Sequence, residues 1–250
     1  VAEIYSFTSD PVALNSYLVV GEERALVIDT GAGPAQATGI LRAFRTVTGL
    51  PLCVVNTHDH WDHFFGNATC AARGIDTFYG AAGFLRDSQA SAWVQFENVP
   101  LSAEPDLPSD PGDLIVPATE LAAQDSIDLG GGTVVETLEL AGHTESDLVL
   151  RVDDVVFTGD LVEEGQPPQF GDDATPARWA QALRRILLFE GVTAYLPGHG
   201  NPVDRRFVQA QAADVAGLAA DHTAVVPARN SAGSSATGQS AAPVGLVRIR

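Results

Sequence analysis

Apolar residues along this chain come in short runs broken by Gly, Asp and Pro, and the runs alternate with stretches of helical spacing. Residues 15–20 and 24–28 predict a hairpin that turns at Gly21-Glu22-Glu23. The segment Asp29-Thr30-Gly31-Ala32-Gly33-Pro34 then ends a strand and opens a helix, with Pro34 suited to its first turn. That helix is expected to reach about Thr48, ahead of Gly49 and Pro51. Residues 52–56 are apolar on both alternating faces, which marks a strand covered on both sides. A short helix over residues 67–73 follows. The second half echoes the first: a strand over 133–140, a hairpin of 148–152 with 155–157, a helix over 176–189 capped by Thr175, a strand over 193–196 and a closing helix over about 204–222. Between the halves, residues 81–124 read as one helix and then a long Pro/Asp/Ser-rich loop, a kind of segment that is usually functional or mobile. Residues 227–243 have no apolar period and predict a flexible tail.

Four polar clusters each lie just past the C-terminal end of a predicted strand. The segment Thr57-His58-Asp59-His60-Trp61-Asp62-His63 reads H-x-H-x-D-H, and Gly142-His143-Thr144, Thr158-Gly159-Asp160 and Gly198-His199-Gly200 follow at wide spacings. Five of the six histidines fall in this set. His58, His60, Asp62, His63, His143, Asp160 and His199 supply nitrogen and oxygen ligands for two borderline divalent ions. The expected cofactor is therefore a pair of divalent metal ions, Zn2+ first, with Fe or Mn as alternatives. Two such ions sharing a water make a hydroxide near neutral pH, which suits hydrolysis. Asp62 and Asp160 count both as ligands and as the catalytic residues. No separate side-chain nucleophile is needed, and Ser146 reads as a solvated or capping serine.

Composition narrows the partners. The net charge is −18, and all 14 basic residues are Arg. A surface of this sign repels phosphate backbones and argues against nucleic acid, and the absence of Lys removes Schiff-base and phosphate-loop chemistry. No apolar run approaches the ~18 residues that span a bilayer, so no membrane partner is expected. The first residues, Val-Ala-Glu-Ile-Tyr, carry no basic or apolar leader, and a cytoplasmic location is the expectation, with the reservation that a chain opening without Met can have been trimmed. Cys53 and Cys70 form no CxxC pair; Cys53, inside Leu52-Cys53-Val54-Val55, reads as a buried hydrophobe.

These motifs, in this order, resemble those of the metallo-β-lactamase-fold hydrolases, and most of all the glyoxalase II-like branch. The resemblance covers about residues 12–202. It implies an α/β (α+β) fold, a four-layer αββα sandwich, over a hydrolase domain of residues 1–223 followed by a low-complexity tail of residues 224–250. It also implies a division of ligands: His58, His60 and His143 at a first ion, Asp62, His63 and His199 at a second, and Asp160 between them. Asp at position 160, where the commonest zinc β-lactamases carry Cys, makes antibiotic hydrolysis the less expected activity. His at position 60, where oxygen-reducing di-iron relatives carry Glu, disfavours that redox chemistry. Glyoxalase II adds a basic C-terminal helical domain that holds glutathione; here the last residues read as one helix without Lys and a low-complexity stretch, which makes a glutathione thioester less expected than another thioester.

The expected activity is cleavage of a small acyl substrate, an ester, thioester, lactone or amide. The alternative is a mononuclear iron dioxygenase of the persulfide dioxygenase type; a third reading, a binding module without catalysis, fits poorly with a complete ligand set. Asp29 is read either as the carboxylate behind a ligand histidine or as a helix cap, Asp59 as a hydrogen-bonding residue and His222 as a surface histidine near a helix C-terminus. Residues 161–173 and the Phe84/Trp93/Phe96 region are expected to wall the substrate pocket, although Trp93 and Phe96 serve equally well as core. Glu163 and Glu164 at its mouth would repel a polyanion. Oligomeric state is left open.

Overall fold

A strand without polar alternation needs cover on both faces, and that requirement sets the architecture. The computed structural model describes residues 1–224 and 245–250, with side chains through residue 219 of the last helix. One sheet contains β1 (Glu3–Ser9), β2 (Leu14–Val20), β3 (Ala25–Ile28), β4 (Leu52–Val55), β5 (Phe78–Ala81), β6 (Thr119–Leu121) and β12 (Leu246–Arg248). The other contains β7 (Gln124–Asp128), β8 (Val134–Leu140), β9 (Asp147–Val152), β10 (Val155–Gly159) and β11 (Ala194–Pro197). The first is ordered β12-β1-β2-β3-β4-β5-β6, antiparallel from β12 to β3 and parallel from β3 to β6. The second is ordered β11-β10-β9-β8-β7, and only β10–β11 is parallel.

Alternation decides which face each side chain serves. On β3, Leu26 and Ile28 enter the core between the sheets with Cys53 and Val55 of β4 and Leu150, Val155 and Phe157 opposite. Ala25, Val27 and Val54 face the other way, onto Ile40, Leu41 and Phe44 of α1 (Pro34–Phe44) and Cys70 of α3 (Asn67–Ala72). Behind the second sheet, Val149, Val156 and Tyr195 pack on Trp179, Leu183 and Ile186 of α5 (Pro176–Ile186) and on Val208, Ala212 and Val215 of α6 (Arg205–Ala224). The result is the expected αββα sandwich. Two further helices, α2 (Trp61–Phe64) and α4 (Ala82–Gln95), sit at the strand ends around Phe64, Phe65 and Phe84.

Several expectations need correction. The pattern did not predict β1, β5, β6, β7 or β12. β1 interleaves Ser and Thr with its apolar residues, β5 and β6 are three or four residues long, and β7 is an edge strand with Ile127 as its one buried residue. The long loop is neither structureless nor free. Glu104 is fully buried and accepts from the amides of Ala35 (2.7 Å) and Gln36 (3.0 Å), so it caps α1, whose own N-cap is Gly33. Helix α1 stops at Phe44 rather than Thr48. Thr175 does not cap α5 with its side chain; its hydroxyl reaches the Gly142 carbonyl instead. Most of the expected tail, residues 225–244, lies outside the described residues, but its end returns to the sheet: Leu246–Arg248 pairs with β1. Among the described residues no helix is long and apolar enough to cross a membrane.

Candidate metal centre

The four polar clusters converge because each follows the C-terminal end of a strand in one of two facing sheets. The H-x-H-x-D-H segment leaves β4 and turns into α2; Leu148 N donates to Thr57 O at 2.7 Å, which ties this segment to the second sheet. The His199 turn leaves β11 and is fastened by β2: Asn15 N donates to Gly198 O (2.7 Å), Asn15 Nδ2 to Gly200 O (2.7 Å) and Tyr17 Oη to Pro197 O (2.6 Å). Gly198 is required there, since a Cβ would overlap Asp160 Oδ1 and His63 Cε1.

All seven predicted residues come together. Asp160 Oδ2 lies 3.9 Å from His58 Nε2, 3.4 Å from His63 Nε2, 3.7 Å from His143 Nε2 and 3.5 Å from His199 Nε2. Asp62 Oδ2 is 3.1 Å from His199 Nε2 and 3.9 Å from His63 Nε2. His60 Nδ1 and His143 Nε2 stand 3.0 Å apart. Three triads, His58–His60–His143, His58–His63–Asp160 and Asp62–His63–His199, have ligand atoms within 4.8 Å of one another.

Four of the five imidazoles give their other nitrogen to an outer hydrogen-bond partner, which fixes the ring and aims the first nitrogen inward; the fifth, His143, has its Nδ1 near Glu163 without a hydrogen bond. His63 Nδ1 meets Asp29 Oδ2 at 2.8 Å, His60 Nε2 meets Asp173 Oδ2 at 2.9 Å, and His199 Nδ1 donates to Val12 O at 3.0 Å. His58 Nδ1 is 3.0 Å from Thr57 Oγ1, which itself donates to Asp29 Oδ2, and His143 Nδ1 lies 3.3 Å from Glu163 Oε1. Asp29 thus stands behind His63 and does not cap a helix. Its second oxygen accepts from Thr57 N, and its φ of 60° is in the left-handed region that Asp tolerates.

The charges of this cluster are out of balance without a cation. The inward Nε2 atoms of His58 and His63 and Oδ1 of Asp160 are buried and have no hydrogen-bond partner, a state that costs free energy unless an ion completes it. Burial, helped by His63 and His60, drives His58 well below the usual imidazole range. Burial acts downward on His63 too, but Asp160, Asp29 and Asp62 outweigh it and hold that ring well above the usual value. Against the same burial, Asp160 and Asp62 push His199 up to about 9. Asp62 is lowered to about 2 by His63 and His199 in spite of burial, and burial with the Asp160 charge pushes Glu163 up to about 9. A nitrogen-and-oxygen donor set with outer partners on most of its rings fits a divalent ion.

The family model of the metallo-beta-lactamase superfamily matches residues 9–199, a span that begins before the first strand of the hairpin and ends on the last histidine of the centre. The chain belongs to the metallo-beta-lactamase superfamily. It is 27% identical over 206 residues to acyl-coenzyme A thioesterase MBLAC2 of Gallus gallus, covering 75% of this chain and 72% of that protein. It is 26% identical over 190 residues to hydroxyacylglutathione hydrolase of Xanthomonas euvesicatoria pv. vesicatoria (strain 85-10), covering 73% of this chain and 58% of that protein. In fold it superposes on a metallo-beta-lactamase from Pontibacter korlensis with a TM-score of 0.66 at 20% identity, over 85% of this chain and 94% of that one.

The surroundings of the superfamily centre differ from the expected walls. A cleft of about 520 Å³ opens beside His60 and is lined by Trp61, Phe84 and Val94, while Trp93 is 56% exposed and lies outside it and Phe96 packs on Phe65. Of the 161–173 segment, Asp172 and Asp173 line this cleft; Glu163 turns to His143, and Glu164 accepts from Asn201 N at 2.7 Å. Ser146 is buried and caps α4, accepting from Phe84 N while donating to Glu139. Asp59 forms hydrogen bonds through its carbonyl, which accepts from Gln95 Nε2 at 2.9 Å. His222 falls within α6, beyond the described side chains. Sequence reasoning gave no supporting role to Gln95, Thr57 or Asp173: Thr57 opens the first motif without being one of its spaced ligands, and Asp173, expected only in the pocket wall, lies 113 positions from its partner.

Proposed function

We propose that this chain is a dinuclear metal-dependent hydrolase of small acyl substrates: esters, thioesters, lactones or amides. His58, His60 and His143 hold one ion, Asp62, His63 and His199 hold the other, and Asp160 lies between them. The observation that carries this reading is the position of Asp160 Oδ2, within 3.4–3.9 Å of four inward-facing imidazole nitrogens from both sets. Bound divalent ions, Zn2+ first, would acidify a shared water towards a pKa of about 7 and polarise the acyl carbonyl. The chain's own residues then do the positioning. Asp160 sets the separation of the two triads, and Asp62, ionised and 3.1 Å from His199 Nε2, orients the second. Asp29 and Asp173 keep His63 and His60 from rotating. The thioesterase and hydroxyacylglutathione hydrolase relatives support acyl transfer to water as the reaction class.

The second triad is as closely gathered as the first, which favours two ions over the single iron of a dioxygenase. Metal analysis of protein purified without added metal, followed by turnover of an aryl ester, a thioester, a lactone and a bis-aryl phosphate, tests the assignment. Two ions per chain with acyl turnover, lost in His60→Ala while the fold persists, is the expected result. One iron with oxygen uptake, or phosphodiester turnover alone, would overturn it.

A further inference from the structure

We propose that the substrate carries a positive charge, an amine or quaternary ammonium, on the part that occupies the cleft beside His60. This rests on the hydrolase reading, since the cleft is taken as a substrate site because His60 of the candidate centre, and Asp173 behind it, form part of its wall. The lining residues then set its charge. Five carboxylates, those of Asp59, Asp87, Glu145, Asp172 and Asp173, face one guanidinium, that of Arg86. Arg86 is already 3.4 Å from Asp87, and Asp173 is engaged by His60. Among the described residues no cation lies within salt-bridge distance of Asp59, Glu145 or Asp172. A net negative field therefore fills a cleft whose apolar side includes Trp61, and an indole is the aromatic best suited to a cation. The rest of the chain reinforces the sign, with a net charge of −18 and no Lys. The cleft is unsuited to the phosphates of a coenzyme A thioester, even though a thioesterase named for that coenzyme is among the relatives.

Three carboxylates without an ion-pair partner, acting through a largely aqueous dielectric, favour a singly charged cation over a neutral analogue on the order of tenfold. Metal-loaded full-length protein is assayed with three butyryl thioesters that differ in leaving group: thiocholine, N-acetylcysteamine and coenzyme A. The expected kcat/KM is about tenfold higher for thiocholine than for N-acetylcysteamine and lowest for coenzyme A, with the spread collapsing towards unity in high salt. The exposed double substitution Glu145→Gln/Asp172→Asn lowers the ratio of thiocholine to N-acetylcysteamine kcat/KM from about tenfold towards unity. Calorimetry with benzyltrimethylammonium and benzenesulfonate reads the cleft without turnover; the cation binds and the anion does not. Equal kcat/KM for the charged and neutral thioesters, or binding of the sulfonate at least as tight as that of the ammonium, overturns the proposal and leaves the hydrolase reading intact. Failure of every acyl substrate to turn over, with the cation still preferred in the calorimeter, refutes the hydrolase reading and keeps the charge preference of the cleft.

Discussion

Gln95 is the clearest test of how the scaffold holds the centre. At the C-terminal end of α4, it is 9% exposed and clamps the backbone on both sides of His60. Its Nε2 donates to Asp59 O at 2.9 Å and its Oε1 accepts from Trp61 N at 2.8 Å, while Ser91 Oγ, 2.8 Å away, steadies the amide. Gln95→Leu keeps the volume and removes both bonds. The Asp59 carbonyl retains Ser91 Oγ at 3.3 Å, so one partly buried amide, Trp61 N–H, is left without its side-chain partner. An orphaned group of that kind costs about 1–2 kcal/mol, or roughly 3–6 °C in Tm for a domain of this size. The larger effect falls on the ion. Loss of an outer support typically weakens metal affinity by about 10–100-fold, and here the support acts on the two peptide units that flank a ligand. Competition with a chromophoric chelator gives the metal Kd, calorimetric melting gives Tm, and kcat is read at saturating metal. Glu at this position can accept from Trp61 N but cannot donate to Asp59 O, so Gln95→Glu should restore part of the affinity. A Gln95→Leu protein that melts lower but binds metal as wild type would show that Gln95 is only packing, and would refute a positioning role.

Three further outcomes follow from buried groups outside the candidate ligand set. Burial raises Asp147 to about 6, above its ordinary 3.8. A carboxyl with a raised folded-state value contributes stability while protonated and loses it as the pH rises through that value, here between about pH 4 and pH 6. Asp147→Asn can keep the acceptor for Thr144 N and Oγ1, so in metal-free protein the variant should gain about 2–3 kcal/mol on wild type across that window in urea titrations; a difference that does not change with pH would exclude this. Glu104→Ala strips α1 of its cap and should cost about 2 kcal/mol with kcat unchanged at saturating metal, and an unaltered melt would mean the cap is dispensable. Burial pushes Cys53 and Cys70 up to about 11 and about 12, so iodoacetamide near neutral pH should label neither until the protein is unfolded; mass spectrometry of the native protein checks it.

The proposed centre was legible because its candidate ligands are His and Asp and follow strands. Those two constraints leave a mark in sequence: H-x-H-x-D-H after an apolar run, then His143, Asp160 and His199 beside glycines that let the backbone come close. The central strands were legible for a related reason, since β3, β4 and β10 are covered on both faces and cannot afford polar alternation. Edge and short strands escaped because they lack that constraint. β7 has one buried residue, and β12 is exposed throughout and is held by backbone pairing to β1.

The outer partners of the five imidazoles explain where sequence reading stops. One takes a carboxylate from the end of β3, one a carboxylate from the loop before α5, one a hydroxyl from its own neighbour and one merely a backbone carbonyl at Val12, while His143 Nδ1 lies 3.3 Å from a glutamate after β10 without a hydrogen bond. Any acceptor in the right place satisfies an imidazole N–H, so the chemistry fixes a position in space and leaves the residue type free. Asp29 carried a signal only because it closes a strand beside the site, and Asp173 carried none. The same freedom explains why the long loop was misjudged. A helix N-terminus accepts any carboxylate that reaches it, and Glu104 reaches α1 from 68 positions away to meet Gln36 N. Ligand identity is thus written locally, whereas ligand orientation is a property of the assembled sandwich. It follows that substitutions such as Gln95→Leu, remote in sequence from any motif, should discriminate between a folded centre and a working one more sharply than removal of a ligand does.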